Sequence, residues 1–252
     1  MLSALAAVLC VLLWPDAVQG RAGAAQQRGA DATASPRAAA PVDLTGYWVS
    51  VVTQDWRWRM VTPPKGDYSS VPITLEAKRV GDVWDPAKDE AAGEQCKAFG
   101  APAIMAVPTR LRITWQDEKT LKVETDAGTQ TRLLHFGDWK PGDQPAGWQG
   151  QSVAVWERGQ GGRGVAPAGG SLKVVTTNLR PGYLRKNGVP YSRSAILTEY
   201  WDVGTERGRD RWITITSVVE DPTYLRVPYV TALQFKQEAD GAKWDPTPCS
   251  AR

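Results

Sequence analysis

The sequence predicts an all-β fold in which many short antiparallel strands close into a barrel of about eight to ten strands with little helix. Two observations predict it: apolar residues recur with a period of two, not 3.6, and turn formers separate the runs at hairpin spacing. A third bears on function, because twelve tryptophans stand against a single histidine, His135. Such a chain is rich in flat apolar surface and poor in catalytic groups.

The elements follow in order. Leu44–Thr53 reads as the first strand. In the second, Leu111, Ile113 and Trp115 alternate with Arg110, Arg112 and Thr114, and in the third Leu121 and Val123 alternate with Lys122 and Glu124, each with one face toward water. Gln116-Asp117-Glu118-Lys119 joins these two, and Asp126-Ala127-Gly128 leads into a fourth strand over Thr129–Phe136. Further strands read as Gln151–Glu157, Leu172–Asn178, Ser194–Asp202, Arg211–Val219 and Tyr229–Gln237, with Asn187-Gly188 as a turn. Helix is expected only for a turn or two within 87–98, started by Pro86 and stopped by Gly100-Ala101-Pro102. Strands joined by short links must hide their edges, and closure does so. A barrel of roughly eight strands is either filled by its own side chains or holds one small ligand.

Ahead of this domain, Ala4 to Trp14 is an apolar run followed by Pro15 and the small-residue stretch Ala17-Val18-Gln19-Gly20. It reads as a secretory signal segment over 1–20, with no basic residue before its core and too short to span a bilayer. Residues 21–41 are nearly all Ala, Gly, Gln, Arg, Ser and Asp, a composition that cannot offset its ordering entropy and reads as a disordered tether. A single folded domain over 42–252 remains. The formal charge is +3 for the whole chain and +4 for residues 21–252, because residues 1–20 hold one acid, Asp16, and no base. No basic block or basic aromatic stripe occurs, which argues against nucleic acid as a partner. With the signal removed, no integral membrane segment is expected.

Two cysteines, Cys96 and Cys249, remain after residue 20. In an oxidising compartment they are most simply paired, the alternative being two free thiols. Two cysteines and one histidine match no zinc or haem spacing, so neither a metal nor a cofactor is expected.

A set of landmarks runs the length of the domain: Asp43-Leu44-Thr45-Gly46-Tyr47-Trp48, the stretch from Asp55 to Tyr68 with Trp56-Arg57-Trp58-Arg59, Trp84-Asp85-Pro86, Gln95-Cys96-Lys97, Trp148-Gln149-Gly150, Arg180 to Ser192, Asp221-Pro222, and Lys243 to Cys249. Taken together these resemble a family of exported bacterial proteins from soil and environmental proteobacteria and acidobacteria. Gly46-Tyr47-Trp48 resembles the Gly-X-Trp that opens lipocalin-like barrels, whose Trp plugs the closed end. The resemblance implies export, a lipocalin-like barrel and a cysteine close to the C-terminus. It implies no catalytic assignment.

Several side chains are candidates. If Thr131 and Leu133 face inward, so does His135, whose imidazole could serve as a general base near neutral pH, or simply as a hydrogen-bonded core or rim group. Glu199, among Ile196, Leu197, Tyr200 and Trp201, is either a carboxyl of raised pKa or the partner of an arginine. Asp221 and Tyr191 complete the candidate proton-transfer set. Trp56 and Trp58 alternate with Arg57 and Arg59, which suggests either a stacking platform or plain inward packing with the arginines at solvent. Trp115, Trp148 and Tyr224 join them as candidate ligand-lining residues.

Some classes drop out. Trp148-Gln149-Gly150-Gln151-Ser152 is not a Gly-X-Ser-X-Gly elbow, and Gly159-Gln160-Gly161-Gly162-Arg163-Gly164 lacks the Lys-Ser/Thr of a phosphate loop. The expected function is a secreted or periplasmic barrel that binds a small apolar or aromatic molecule. The alternative is a cofactor-free lyase or isomerase that moves a proton with His135 and a carboxylate.

Overall fold

A computed structural model describes residues 34–53, 55–158, 169–206 and 210–251. The expected signal over 1–20, the tether up to residue 33 and the glycine-rich stretch 159–164 lie outside the described residues. The folded unit begins at Pro36.

Nine strands close into one barrel: β1 (Gly46–Val51), β2 (Arg110–Asp117), β3 (Thr120–Thr125), β4 (Thr131–Phe136), β5 (Gln151–Arg158), β6 (Gly170–Thr177), β9 (Ile196–Glu206), β10 (Asp210–Glu220) and β11 (Tyr229–Glu238). Their order around the wall is β1-β11-β10-β9-β6-β5-β4-β3-β2, with β1 and β2 paired to complete the ring. All nine coincide with the strands read from periodicity. The expectation of a purely antiparallel wall needs one correction, since β4 and β5 pair parallel through Leu134–Ser152, His135–Val153 and Phe136–Ala154. An odd number of strands cannot alternate direction all the way round a ring. One parallel pair is therefore required, and residues 137–150 supply the long crossover that such a pair needs.

Of the elements outside the wall, all but one were missed by the sequence reading. A hairpin of β7 (Gly182–Arg185) and β8 (Val189–Tyr191) lies outside the wall. Gly188, at φ 82°, makes its turn, and a Cβ there would fall 2.4 Å from Trp84. Four short helices join it: α1 (Trp56–Arg59), α2 (Leu75–Asp82), α3 (Pro86–Ala91) and α4 (Ala101–Ile104), with a 3-10 turn at Lys97–Phe99. Helix α3 starts where Pro86 predicted. Gly100 ends the 3-10 turn, as expected of Gly100-Ala101-Pro102, but the same stretch does more. It also starts α4, because Pro102 sits in the first turn, where its missing N–H costs nothing.

The barrel is filled. Trp48 is fully buried at one end, donates from Nε1 to the Leu44 carbonyl at 2.9 Å, and lies under the Arg211 guanidinium, 5.6 Å from its ring centre. Leu111, Ile113, Leu134, Trp201, Ile215 and Phe235 pack the space behind it. The chain reaches this end earlier than composition suggested: the Pro36 carbonyl accepts from Trp156 Nε1 at 3.0 Å, the Arg37 N–H donates to the Glu118 carbonyl at 3.2 Å, and Pro41 packs against Gly170. The last residues of the expected tether thus belong to the domain. Polar caps explain the change, since two backbone hydrogen bonds at an indole and a strand end order a segment that has no large apolar side chain.

Cys96 and Cys249 form a disulfide, their Cα atoms 5.1 Å apart across a separation of 153 residues. It ties the C-terminal segment to the 3-10 turn, and the neighbouring Thr247 N–H donates to the Asp126 carbonyl at 2.9 Å. Among the described residues, no helix is long and apolar enough to cross a membrane.

Candidate functional site

The strand phase of β4 decides the fate of the proton-transfer set. Arg132, Leu134 and Phe136 are the buried positions, while Thr131, Leu133 and His135 face outward. The reading that placed His135 inside is corrected: its ring stacks on Trp139 at 4.1 Å on the outer surface, and Thr120 Oγ1 lies 3.4 Å from Nδ1. Burial against Trp139 pushes its pKa below the ordinary histidine value, and Asp117 pulls weakly the other way.

Glu199 is inside and fully engaged. Arg132 donates from Nη1 to Oε1 at 3.1 Å and from Nη2 to Oε2 at 2.5 Å, with both side chains essentially unexposed. Arg132 Nη2 also reaches Thr176 Oγ1 at 3.3 Å, and Thr176 meets Ser152 at 2.8 Å. This is the structural pairing anticipated for Glu199. The wall of the barrel separates it from His135, so the two cannot share a substrate.

Asp221 builds a corner. Its carboxylate accepts from the Ser192 N–H and Oγ and from the Thr223 and Tyr224 N–H groups, which fixes the loop that enters β11. Tyr191 is fully buried, and burial raises its phenol well above the usual range. Its hydroxyl has no hydrogen-bond partner among the described residues and lies against Gly100 and Gly182, where an added Cβ would come within 2.1 and 2.6 Å of it. Neither residue lines the mouth cleft described below.

The tryptophans divide similarly. The WRWR run is not a strand: Asp55 takes a left-handed φ of 53° and the next four residues coil into α1. The platform reading fails because helical geometry separates the two rings: Trp56 stands 61% exposed while Trp58 tucks under Arg185, whose guanidinium is 5.0 Å from its ring centre. The plain reading of Arg59 at solvent fails too, since Arg59 is 8% exposed. Trp115 packs on Phe136 at 5.4 Å near the end covered by residues 36–45. Trp148 lies beneath Arg180 at 4.3 Å, outside the barrel wall. Tyr224 sits in the Asp221 corner, and its carbonyl accepts from the Thr74 N–H.

A cleft opens at the barrel end opposite Trp48. It is narrow, with a cavity volume of about 40 Å³, and widens only where it opens to solvent. Inward residues of β10 and β11 (Ser217, Thr231, Leu233) form its floor, Met105 and Ala106 after α4 one side, Leu184 and Arg185 of β7 another, and Asp55, Trp58 and Arg59 its lip. Arg59 holds that lip in place. Its Nε donates to the Ala106 carbonyl at 3.0 Å and its Nη1 to the Val51 carbonyl at 2.7 Å, pinning α1 to the end of β1 and to the segment after α4. Burial lowers the guanidinium's pKa, with Asp55 opposing. Of the anticipated lining residues only Trp58 borders this cleft. Arg59, Arg185, Ser217 and Thr231 were not anticipated, because a four-residue helix leaves no periodic trace and an inward Ser or Thr in a strand looks like any polar position.

Among the described residues, no group of His, Cys, Asp and Glu is arranged to hold a metal ion. No protein-family model, no curated protein and no solved structure matches this chain.

Proposed function

We propose that this protein is an exported binder of a small apolar or aromatic molecule, taken at the mouth of the barrel and not in its middle. The carrying observation is that the barrel's length is packed by its own side chains from Trp48 to the Arg132–Glu199 pair, while the mouth keeps a cleft with Trp58, Tyr229 and aliphatic walls. A mostly apolar lining with a few fixed polar groups is the lining usual for small-molecule binding. Secretion or a periplasmic location belongs to the same proposal, as does membership of the exported family that the landmarks resemble. The Cys96–Cys249 disulfide supports an oxidising compartment. The lyase or isomerase alternative has no supporting geometry, since His135 and Glu199 lie on opposite faces of the wall.

Native mass spectrometry of the protein purified from its source is the test, made on the wild type and on Thr231→Trp, which fills the cleft floor. A small molecule carried one per chain by the wild type and absent from the variant is expected. Equal loading of both, or no molecule on either, would overturn binding at the mouth.

A further inference from the structure

Six of the nine large apolar side chains exposed among the described residues lie at the mouth end of the barrel, each more than half exposed. Trp56, Met60 and Val61 stand on one flank of the cleft, beside Asp55 and Trp58 of its lip. Leu75, Val227 and Val230 stand on the other, where Tyr229 borders both the cleft and an open groove with Val71 and Val230. Single exposed apolar residues are ordinary, whereas their gathering at one end of a molecule marks an interaction surface. The backbone beneath them is tied down. The Arg226 N–H donates to the Pro72 carbonyl at 2.8 Å, Ile73 pairs with Leu225, Arg185 Nη1 donates to the Ser69 carbonyl at 2.6 Å, and Asn187 Nδ2 donates to the Pro64 and Asp67 carbonyls at 3.2 and 2.8 Å. Trp56 and Met60 are one helical turn apart, the Met60 N–H donating to the Trp56 carbonyl at 2.8 Å, so both project from one side of α1.

Charge distinguishes between the partners such a surface could take. The segments that carry these side chains and frame the cleft, 55–82, 184–186 and 225–230, hold eight Lys and Arg against four Asp and Glu, a balance of +4. That equals the formal charge of residues 21–252, so the rest of that stretch sums to zero. Lys78 pairs with Asp82 and Arg79 with Glu76, whereas Arg57, Lys65 and Arg226 are exposed with no carboxylate in contact among the described residues. A second copy of this chain would bring the same positive charge to the contact, since a twofold interface sets a patch against itself. A bilayer with anionic headgroups meets both features, because exposed Trp and aliphatic side chains sink to the headgroup boundary while Arg and Lys around them meet phosphate. We propose that the mouth end docks on an anionic phospholipid surface, with Trp56, Met60 and Val61 entering on one flank, Val227 and Val230 on the other, and Arg57, Lys65 and Arg226 at the headgroups. This docking goes beyond the ligand reading and does not depend on whether the cleft is filled.

Co-sedimentation of the intact protein with vesicles is the test, one set made of phosphatidylcholine alone and one of three parts phosphatidylcholine to one part phosphatidylglycerol. Binding is expected to be about tenfold tighter on the anionic vesicles at low salt and to fall as salt is added. Trp56→Ser/Met60→Ser is expected to weaken it by about tenfold, whereas Val155→Ser, which removes a comparably exposed apolar side chain from the barrel wall, is expected to leave it unchanged. Arg57→Gln/Lys65→Gln/Arg226→Gln is expected to abolish the preference for anionic vesicles, and far-ultraviolet spectra show that each variant is folded. Equal binding to the two sets by the wild type would overturn the proposal. Binding that survives Trp56→Ser/Met60→Ser would overturn it too, and would assign the contact to another segment, such as the apolar run over 4–14. Failure to bind either set would likewise overturn it, and dimerisation of the wild type that the same double variant abolishes would then give the surface to a second copy. The co-purification test of the cleft stands or falls separately from all of these outcomes.

Discussion

His135 and Phe136 are adjacent in sequence and separated by the barrel wall. That single alternation removes the imidazole from any interior chemistry, and its own consequence is a pH dependence of stability. Burial against Trp139 lowers the pKa of His135 in the folded state, so the unfolded chain takes up the proton first. The contribution is then fully present above the ordinary imidazole pKa and is lost as pH falls through the lower, folded-state value. Acidification from about pH 8 to about pH 5, across the range where histidine titrates, is expected to lower the urea midpoint more in the wild type than in His135→Phe, which keeps a ring on Trp139. Parallel pH profiles for the two proteins would contradict this account. At the same scale, Arg59 was misplaced by the sequence reading for an identifiable reason: alternation of Trp and Arg over four residues fits a strand as well as a helical turn, and only the left-handed Asp55 breaks the tie.

Elements were legible in proportion to how much of one face they bury. Most wall strands bury alternate residues, so a period of two ran through them, Ile213, Ile215, Ser217 and Val219 being the plainest case, whereas β1 buries only Trp48. Helix α2 has a sound N-cap, Thr74, which accepts from the Ala77 N–H at 3.2 Å, yet it buries only Ala77 and Gly81 and so shows no apolar stripe. Hairpin β7–β8 is three to four residues a side, too short for periodicity to declare itself. What holds these caps to the barrel includes the Cys96–Cys249 bond, which closes a separation of 153 residues. By the chain-entropy relation a loop of that size contributes roughly 5 kcal/mol at most, and measured values for native disulfides run about 2–5 kcal/mol. The double variant Cys96→Ser/Cys249→Ser is expected to lose stability in that range by chemical denaturation, with the far-ultraviolet spectrum of the barrel retained. A loss under about 1 kcal/mol would mean that the pair does little to restrain the unfolded chain.

For the molecule as a whole, the Arg132–Glu199 pair is the main polar tie across the interior. It joins β4 to β9, which are not neighbours but stand three pairings apart around the wall through β5 and β6. With both groups unexposed, removing one charge strands the other in a dry core. Glu199→Gln is therefore expected to cost about 3–5 kcal/mol, read from the denaturation midpoint, while Arg132→Met/Glu199→Leu recovers most of it by replacing the pair with apolar volume. A Glu199→Gln protein as stable as the wild type would show that the interior is wetter there than the packing implies.

The sequence by itself determined the barrel, because strand period and turn chemistry are local properties written residue by residue, and it made the Cys96–Cys249 pairing the simplest use of two thiols, which the structure then showed. Only the tertiary structure decided which face of each strand looks inward, since a one-residue change of phase exchanges every side chain between core and solvent. It therefore also decided that Glu199 pairs with Arg132 and not with His135. The mouth cleft was beyond the sequence for a related reason: Arg59, Met105, Leu184, Ser217 and Thr231 come from five separate segments, and nothing short of closing the barrel and folding its caps brings them together.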